Sequence, residues 1–275
     1  MPTLYLVATP IGNLGDVSQR AIETLCSVDF IAAEDTRVSA KLFHHFHIKK
    51  PVLSYHEHNA KGRGEEIVSR ILKGESCAVV TDAGMPCISD PGEELVRLCA
   101  QNNIPVIVIP GPNAAISALA ASGLPSGRFS FEGFLSVKKT SRITHLNEIR
   151  DDPRTLVFYE APHKLLRTLN DMCEVFGDRR VTLARELTKI HEEIMRATLQ
   201  EAAAYYTENA PRGEFVIVVE GKKPEDVPRI SLGEAVQIME KLVENGEKPA
   251  AAARQAAQVT GYKKNELYHH WHLTQ

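Results

Sequence analysis

The sequence predicts an α/β protein: two α/β domains followed by a small all-helical C-terminal domain. Three observations predict it. Short β-rich runs alternate with helical patterns over the first 125 residues. The breaker cluster Gly123-Leu124-Pro125-Ser126-Gly127 then marks a hinge before a second α/β stretch. The charged, proline-containing segment 221–228 precedes a tail with only helical periodicity. The implied domains are 1–122, 128–221 and 229–275.

In the first domain, strands are expected at 4–8, 30–33, 52–55, 78–81 and 106–109, where apolar and β-branched residues run together. Helices fit at 17–26, 39–46, 65–73, 93–101 and 114–121 between and after them. Such alternation gives a mostly parallel sheet with helices on both faces. In the second domain, strands fit 129–133, 155–159, 181–185, 193–197 and 215–220, with helices at 141–150, 163–176 and 199–208. Its last strands lie close together in sequence, so its sheet is expected to be mixed. The tail is helical over 232–270, and a glycine turn at Gly261 separates two of its helical segments. That spacing suits a helix-turn-helix and equally a helical cap. Lys241, Lys248, Arg254, Lys263 and Lys264 balance Glu234, Glu240, Glu244, Glu247 and Glu266, so the tail is formally neutral.

Composition excludes several classes. The 275 residues are 43% hydrophobic and 24% charged, as in water-soluble globular proteins. A net charge of -3 argues against a globally basic nucleic-acid coat, although a local basic patch stays compatible with it. The start reads as a strand and lacks a basic leader, and the most apolar long stretch, 104–121, is broken by Pro110-Gly111-Pro112. No membrane association is expected. Five cysteines without a CxxC pair suggest small core residues in a reducing cytoplasm.

The informative chemistry sits at strand ends, where open α/β sheets bind ligands. Foremost is Thr81-Asp82-Ala83-Gly84-Met85-Pro86-Cys87-Ile88-Ser89-Asp90-Pro91-Gly92, a turn rich in Gly, Pro and Asp between a strand and a helix. Asp82 and Asp90 add acceptors without bulk, and Asp90, just before Pro91, is read as a helix cap or loop brace. The first strand ends in Thr9-Pro10-Ile11-Gly12-Asn13-Leu14-Gly15-Asp16, without GxGxxG or GxxxxGK[ST] spacing, so phosphate cradling is not indicated. Glu34 and Asp35 follow the second strand, where either base chemistry or helix capping suits them, and Arg37 can hold a phosphate or pair with either acid. Pro110-Gly111-Pro112-Asn113 opens a helix whose small residues allow close approach of a flat ring or tight packing. In the second domain, Tyr159-Glu160-Ala161-Pro162-His163-Lys164, Ala184-Arg185-Glu186-Leu187-Thr188-Lys189 and Gly213-Glu214 adjoin strands. No metal is expected: HExxH is absent, no Cys stands at ligand spacing from a His, and His56 and His58 read as substrate-facing or surface groups. GxSxG is also absent.

Taken together, TPIGNLGD, AAEDTR, SYHEHN, TDAGMPCISDPG, PGPNA, FYEAPHK, ARELTK and GEF resemble the tetrapyrrole methylase superfamily of S-adenosylmethionine-dependent methyltransferases. The likeness spans about residues 3–221 and is greatest to the ribosomal branch, whose extra C-terminal domain the tail also resembles. The resemblance implies a cofactor cleft between the two α/β domains and a homodimer. It implies S-adenosylmethionine contacts from Pro10, Asp82, Ala83, Gly84, Ser117, Ala118, Tyr159, Leu187 and Glu214. It also implies 2′-O-methylation of a cytidine ribose in the decoding region of 16S rRNA, within the small ribosomal subunit. A tetrapyrrole precursor is the alternative substrate, and a non-enzymatic nucleic-acid-binding protein the alternative of another class.

Transfer of an activated methyl group asks the protein mainly to align acceptor and donor. A weakly acidic 2′-hydroxyl also benefits from a base or an alkoxide stabiliser. Glu186 and Lys189 rank first for that role, with Glu34, Asp35, His56, Glu160 and His163 behind them. Arg37, Lys138, Lys139, Arg142, Lys263 and Lys264 are the expected RNA contacts.

Overall fold

The computed structural model describes residues 2–223 and 230–274. Most of the expected linker 221–228 lies outside the described residues. Residues Met1–Gly221 form one compact unit and Lys222–Gln275 a second.

The first unit contains two five-stranded sheets. The first is built from β1 (Leu4–Val7), β2 (Phe30–Ala33), β3 (Val52–Ser54), β4 (Cys77–Val80) and β5 (Val106–Ile109). The strand order is β3-β2-β4-β1-β5 and all pairings are parallel. Alternation within four-residue strands fills both faces. Phe30 and Ala32 face a cluster with Ile67, Ile71, Leu95 and Cys99, from α3 (Ala60–Leu72) and α4 (Glu93–Gln101). Ile31 and Ala33 face Ala21, Leu25, Leu42 and Phe43, from α1 (Gln19–Ser27) and α2 (Thr36–His45). The result is a three-layer sandwich with its ligand-competent edge at the strands' carboxyl ends.

Two helices around the first sheet start earlier than their periodicity predicts. α2 starts at Thr36 because the Asp35 side chain accepts from the Arg37 N–H and caps it. α3 starts at Ala60, running through Gly62 and Gly64. Gly64 is buried, and a Cβ there would stand 3.2 Å from Leu98. Close packing of α3 on α4 thus outweighs the low helix propensity of glycine.

The second sheet comprises β6 (Phe129–Phe134), β7 (Thr155–Glu160), β8 (Arg180–Arg185), β9 (Glu193–Thr198) and β10 (Phe215–Val219), in the order β6-β7-β10-β8-β9. It is mixed: β6 runs parallel to β7, and the other pairings are antiparallel. One face packs on α6 (Lys139–Glu148), α7 (Pro162–Phe176) and α8 (Leu199–Glu208) through Leu146, Leu165, Leu169, Met172 and Leu199. The other face, Val157, Ala184, Val216 and Val218, receives α5 (Ala114–Ser122) through Ala115, Ala118 and Leu119. Helix α5 therefore follows the first sheet in sequence but packs on the second. Arg196 of β9 donates to the Ser122 carbonyl at 3.1 Å and to the Ala121 carbonyl at 2.6 Å, satisfying the end of α5. The chain thus crosses from β5 of the first sheet to a helix that packs on the second.

The second unit is three helices, α9 (Leu232–Glu244), α10 (Pro249–Thr260) and α11 (Lys264–Thr274). They surround their own core of Val236, Met239, Ala252, Ala256 and Leu267. Gly261, with φ +75°, ends α10 and opens the turn into α11. All five cysteines are free. Among the described residues, no helix is long and apolar enough to cross a membrane.

Candidate active site

The carboxyl ends of β1, β2, β4 and β5 face the ends of β7, β8 and β10 across a cavity of about 460 Å³. That volume suits a drug-sized or cofactor-sized ligand. One wall is the turn after β4: Asp82, Ala83, Gly84, Met85, Ile88, Ser89 and Asp90. Asn113 and Ala114 open α5 on the same side, and Tyr159, Leu187, Glu214 and Val216 form the opposite wall.

Backbone pairing fixes the first wall. Thr9 and Gly84 exchange hydrogen bonds of 2.9 and 3.1 Å, so the turns after β1 and β4 form a miniature ladder. The Thr9 hydroxyl also donates to the Thr81 carbonyl at 3.1 Å. Gly84 sits at φ +93° with the Pro112 carbonyl 3.7 Å from where a Cβ would stand. A side chain there would be strained and would narrow the cavity floor. The Asp82 carboxylate accepts from the Asp35 backbone N–H at 3.0 Å, and the Glu34 carboxylate accepts from the Asp82 N–H at 3.4 Å. The turns after β2 and β4 thus hold one another.

On the opposite wall, the Tyr159 hydroxyl accepts from the Ala115 N–H at 3.2 Å, and its ring packs edge-on against Phe131. Leu187 is presented between two residues with left-handed backbone, Glu186 at φ +52° and Thr188 at φ +67°. Lys189 fixes that loop by bridging Glu186 at 2.9 Å and Glu214 at 2.7 Å.

The cavity is acidic. Glu34, Asp82, Asp90, Glu160 and Glu214 border it, and no Lys or Arg does so among the described residues. Glu160 is compensated: it is buried, pairs with Lys164 at 2.7 Å and accepts from the Thr168 hydroxyl at 2.6 Å. Burial raises the Glu34 carboxyl above its ordinary value. Asp90 is pushed up to about 7 by burial, then by the negative charges of Glu34 and Asp82. A cavity of this sign, walled partly by Ile11, Met85, Phe134 and Leu187, favours an amphipathic cation over a phosphate.

Of the nine expected cofactor contacts, Asp82, Ala83, Gly84, Tyr159, Leu187 and Glu214 come together here. Pro10, Ser117 and Ala118 are not in the lining: Ile11 takes the place beside Pro10, Ser117 donates to the Asn113 carbonyl, and Ala118 is buried against the second sheet. Glu186 and Lys189 line an adjoining groove with Gly12, Asn13 and Leu14. Asp35 caps α2 and pairs with Arg37, which holds its carboxyl down at about 2. His163 is exposed at the start of α7, and His56 is half-buried beside Asn59. Among the described residues, no group of three His, Cys, Asp or Glu gathers as a metal site.

Two expectations are corrected. Arg142 is not a surface contact for RNA: it is 3% exposed, bonded to Asp171 at 2.6 Å and to the carbonyls of Ser136 and Val137. Adjacent Lys138 and Lys139 are exposed. Asp90 is not the cap of α4. Gly92 occupies that position at φ 142°, and left-handed turns at Cys87 and Ser89 swing Asp90 into the cavity. Asn113 was also missed as a wall residue, although its position just before the helix marks it as the α5 cap.

The fold and this cavity between the two sheets define a class of α/β proteins whose site is split between a parallel and a mixed sheet. The tetrapyrrole (corrin/porphyrin) methylase family profile matches residues 3–203, and the chain belongs to that family. It is 51% identical to the Ribosomal RNA small subunit methyltransferase I of Synechocystis sp., covering 98% of this chain and 96% of the relative. The protein of the same name from Halalkalibacterium halodurans is 47% identical over 98% of this chain and 94% of its own length. A solved diphthine synthase superposes with a TM-score of 0.65 at 13% identity, covering 80% of this chain and 90% of that one, a likeness of fold.

Proposed function

We propose that this protein is an S-adenosylmethionine-dependent methyltransferase that methylates a cytidine ribose 2′-hydroxyl in the decoding region of 16S rRNA, within the small ribosomal subunit. The observation that carries the reading is the near full-length identity, up to 51%, with proteins named Ribosomal RNA small subunit methyltransferase I. The cavity's chemistry agrees with it. Asp82 and Glu34, with no Lys or Arg beside them in the lining, favour the positively charged sulfonium and ammonium groups of that cofactor, and Tyr159 and Leu187 offer apolar contact for its rings. When bound, the cofactor supplies the activated methyl group.

The chain's own residues bind and align. Asp82, Ala83, Gly84 and Asn113 form the first wall, with Pro10, Ser117 and Ala118 outside the lining but on the elements that carry it. Tyr159, Leu187 and Glu214 form the second. Lys189, Glu186 and Glu214 hold the loop that carries Leu187. Outside the cavity, Arg37, Lys138, Lys139, Lys263 and Lys264 are exposed cations suited to phosphates. A homodimer is the proposed assembly, supported by exposed apolar side chains at Ile107, Val108 and Ile116. A cytoplasmic location follows from a ribosomal substrate.

The test is incubation of the protein and labelled S-adenosylmethionine with small subunits, with mapping of the labelled nucleotide. Label on a cytidine ribose supports the reading. Label on a porphyrinogen precursor and none on RNA would establish the tetrapyrrole alternative, and failure to bind the cofactor in calorimetry would favour the non-enzymatic one.

A further inference from the structure

We propose that Asp90 is the catalytic residue that takes the proton from the acceptor hydroxyl during methyl transfer. The inference rests on the function proposed above.

The cavity's other acids are already engaged. Glu160 is held by Lys164 and Thr168. Glu214 is held by Lys189. Asp82 accepts from the Asp35 N–H, and Glu34 from the Asp82 N–H. Asp90 forms no ion pair among the described residues, yet its half-buried carboxyl lines the cavity. Its placement is built in. Cys87 at φ 71° and Ser89 at φ 63° occupy the left-handed region, which non-glycine residues adopt at a cost. The bend carries Ser89 against β6 of the second sheet, where a Cβ on Gly133 would lie 3.3 Å from the Ser89 hydroxyl. A loop that only connected β4 to α4 would not need this path.

The groups facing Asp90 are acids and weak acids, with the Thr81 hydroxyl the one group whose hydrogen bond favours its charged form. Glu34 and Asp82 belong to the first sheet's turns, Cys87 to its own loop and Tyr159 to the second sheet, where Asp90's charge also raises the phenol. With no cation beside it, the carboxyl titrates near neutrality, where a general base is most effective. In the reaction the acceptor O–H bond breaks and its proton passes to the Asp90 carboxylate. The new oxygen–methyl bond forms as the methyl–sulfur bond of the sulfonium donor breaks, and that bond's electron pair stays on sulfur. Asp90 then returns the proton to water.

The test compares wild type with Asp90→Asn and Asp90→Glu. Methylation of small subunits is followed against pH, donor binding by calorimetry, and carboxyl titration by NMR of the ligand-free protein. Expected are a wild-type rate that rises through about pH 7, and loss of that rise with at least a hundredfold lower kcat in Asp90→Asn. Donor affinity should stay within threefold, and one carboxyl signal titrating near pH 7 should disappear. Asp90→Glu should restore part of the rate together with the pH dependence. The proposal is overturned by Asp90→Asn turnover within threefold of wild type, by an unchanged pH rise, by loss of donor binding, or by no carboxyl titrating near neutrality. Wild type inactive on small subunits would instead defeat the proposed function, and the NMR titration would still report on Asp90.

Discussion

Asp82 accepts a hydrogen bond from the Asp35 backbone N–H at 3.0 Å, joining two turns that lie 47 residues apart in sequence. The turn that forms the cavity wall is therefore also the clamp on the start of α2. Removing the Asp82 carboxylate should cost about 1 kcal/mol of stability for the lost hydrogen bond. Asp82→Ala should also weaken S-adenosylmethionine at least tenfold by removing both a charge and a fixed wall. Urea unfolding and calorimetry check the two parts separately, and unchanged affinity would remove Asp82 from the binding site.

The Asp90 carboxyl carries a pH signature in stability as well as in rate. Its value rises from the ordinary 3.8 to about 7 in the fold. Between those values the native state keeps a proton that the unfolded chain has released, so stability falls as pH rises through that window and levels off above it. Asp90→Asn removes the penalty. It should be more stable than wild type by about 1–2 kcal/mol at pH 8, after allowance for solvent screening of the half-exposed group, and equal to it at pH 4. Unfolding curves at the two pH values test the sign.

Arg142 and the two lysines before it should separate cleanly. Arg142→Ala removes the 2.6 Å partner of buried Asp171 and leaves it only Lys139 at 3.8 Å, a change that costs about 3 kcal/mol, the low end for a broken buried pair. Lys138→Ala and Lys139→Ala, at exposed positions, should leave stability within about 0.5 kcal/mol and weaken RNA binding with a reduced salt slope. Thermal unfolding and filter binding at two salt concentrations distinguish them. An Arg142→Ala protein of normal stability would contradict the buried pairing.

The helical unit beyond residue 221 has its own core and exposes Lys263 and Lys264. Deleting residues 222–275 should lower affinity for small subunits at least tenfold while S-adenosylmethionine binding stays within twofold, because the cavity lies wholly within the first unit. Calorimetry with the cofactor and a sedimentation assay with subunits measure the contrast. Unchanged methylation of subunits by the shortened protein would remove the tail from RNA recognition.

Local sequence was enough for the strands, the parallel and mixed character of the sheets, and the prominence of the acidic turn at Asp82, which lines the cavity. These depend on local alternation, apolar runs and turn residues, which neighbours along the chain carry. Tertiary structure decided the rest. Helix α5 follows the first sheet but packs on Val157, Ala184, Val216 and Val218 of the second. Arg142 looks like one of three exposed cations in sequence, and only the Asp171 carboxylate 29 positions away shows why it is buried. Asp90 reads as a helix cap or loop brace beside Pro91, yet Gly92 takes the cap and left-handed turns at Cys87 and Ser89 carry Asp90 into the cavity. For α5 and Arg142 the deciding contact joins residues distant in sequence, so its energy leaves no mark on local periodicity; for Asp90 it is left-handed backbone at two non-glycine residues, which residue type does not announce.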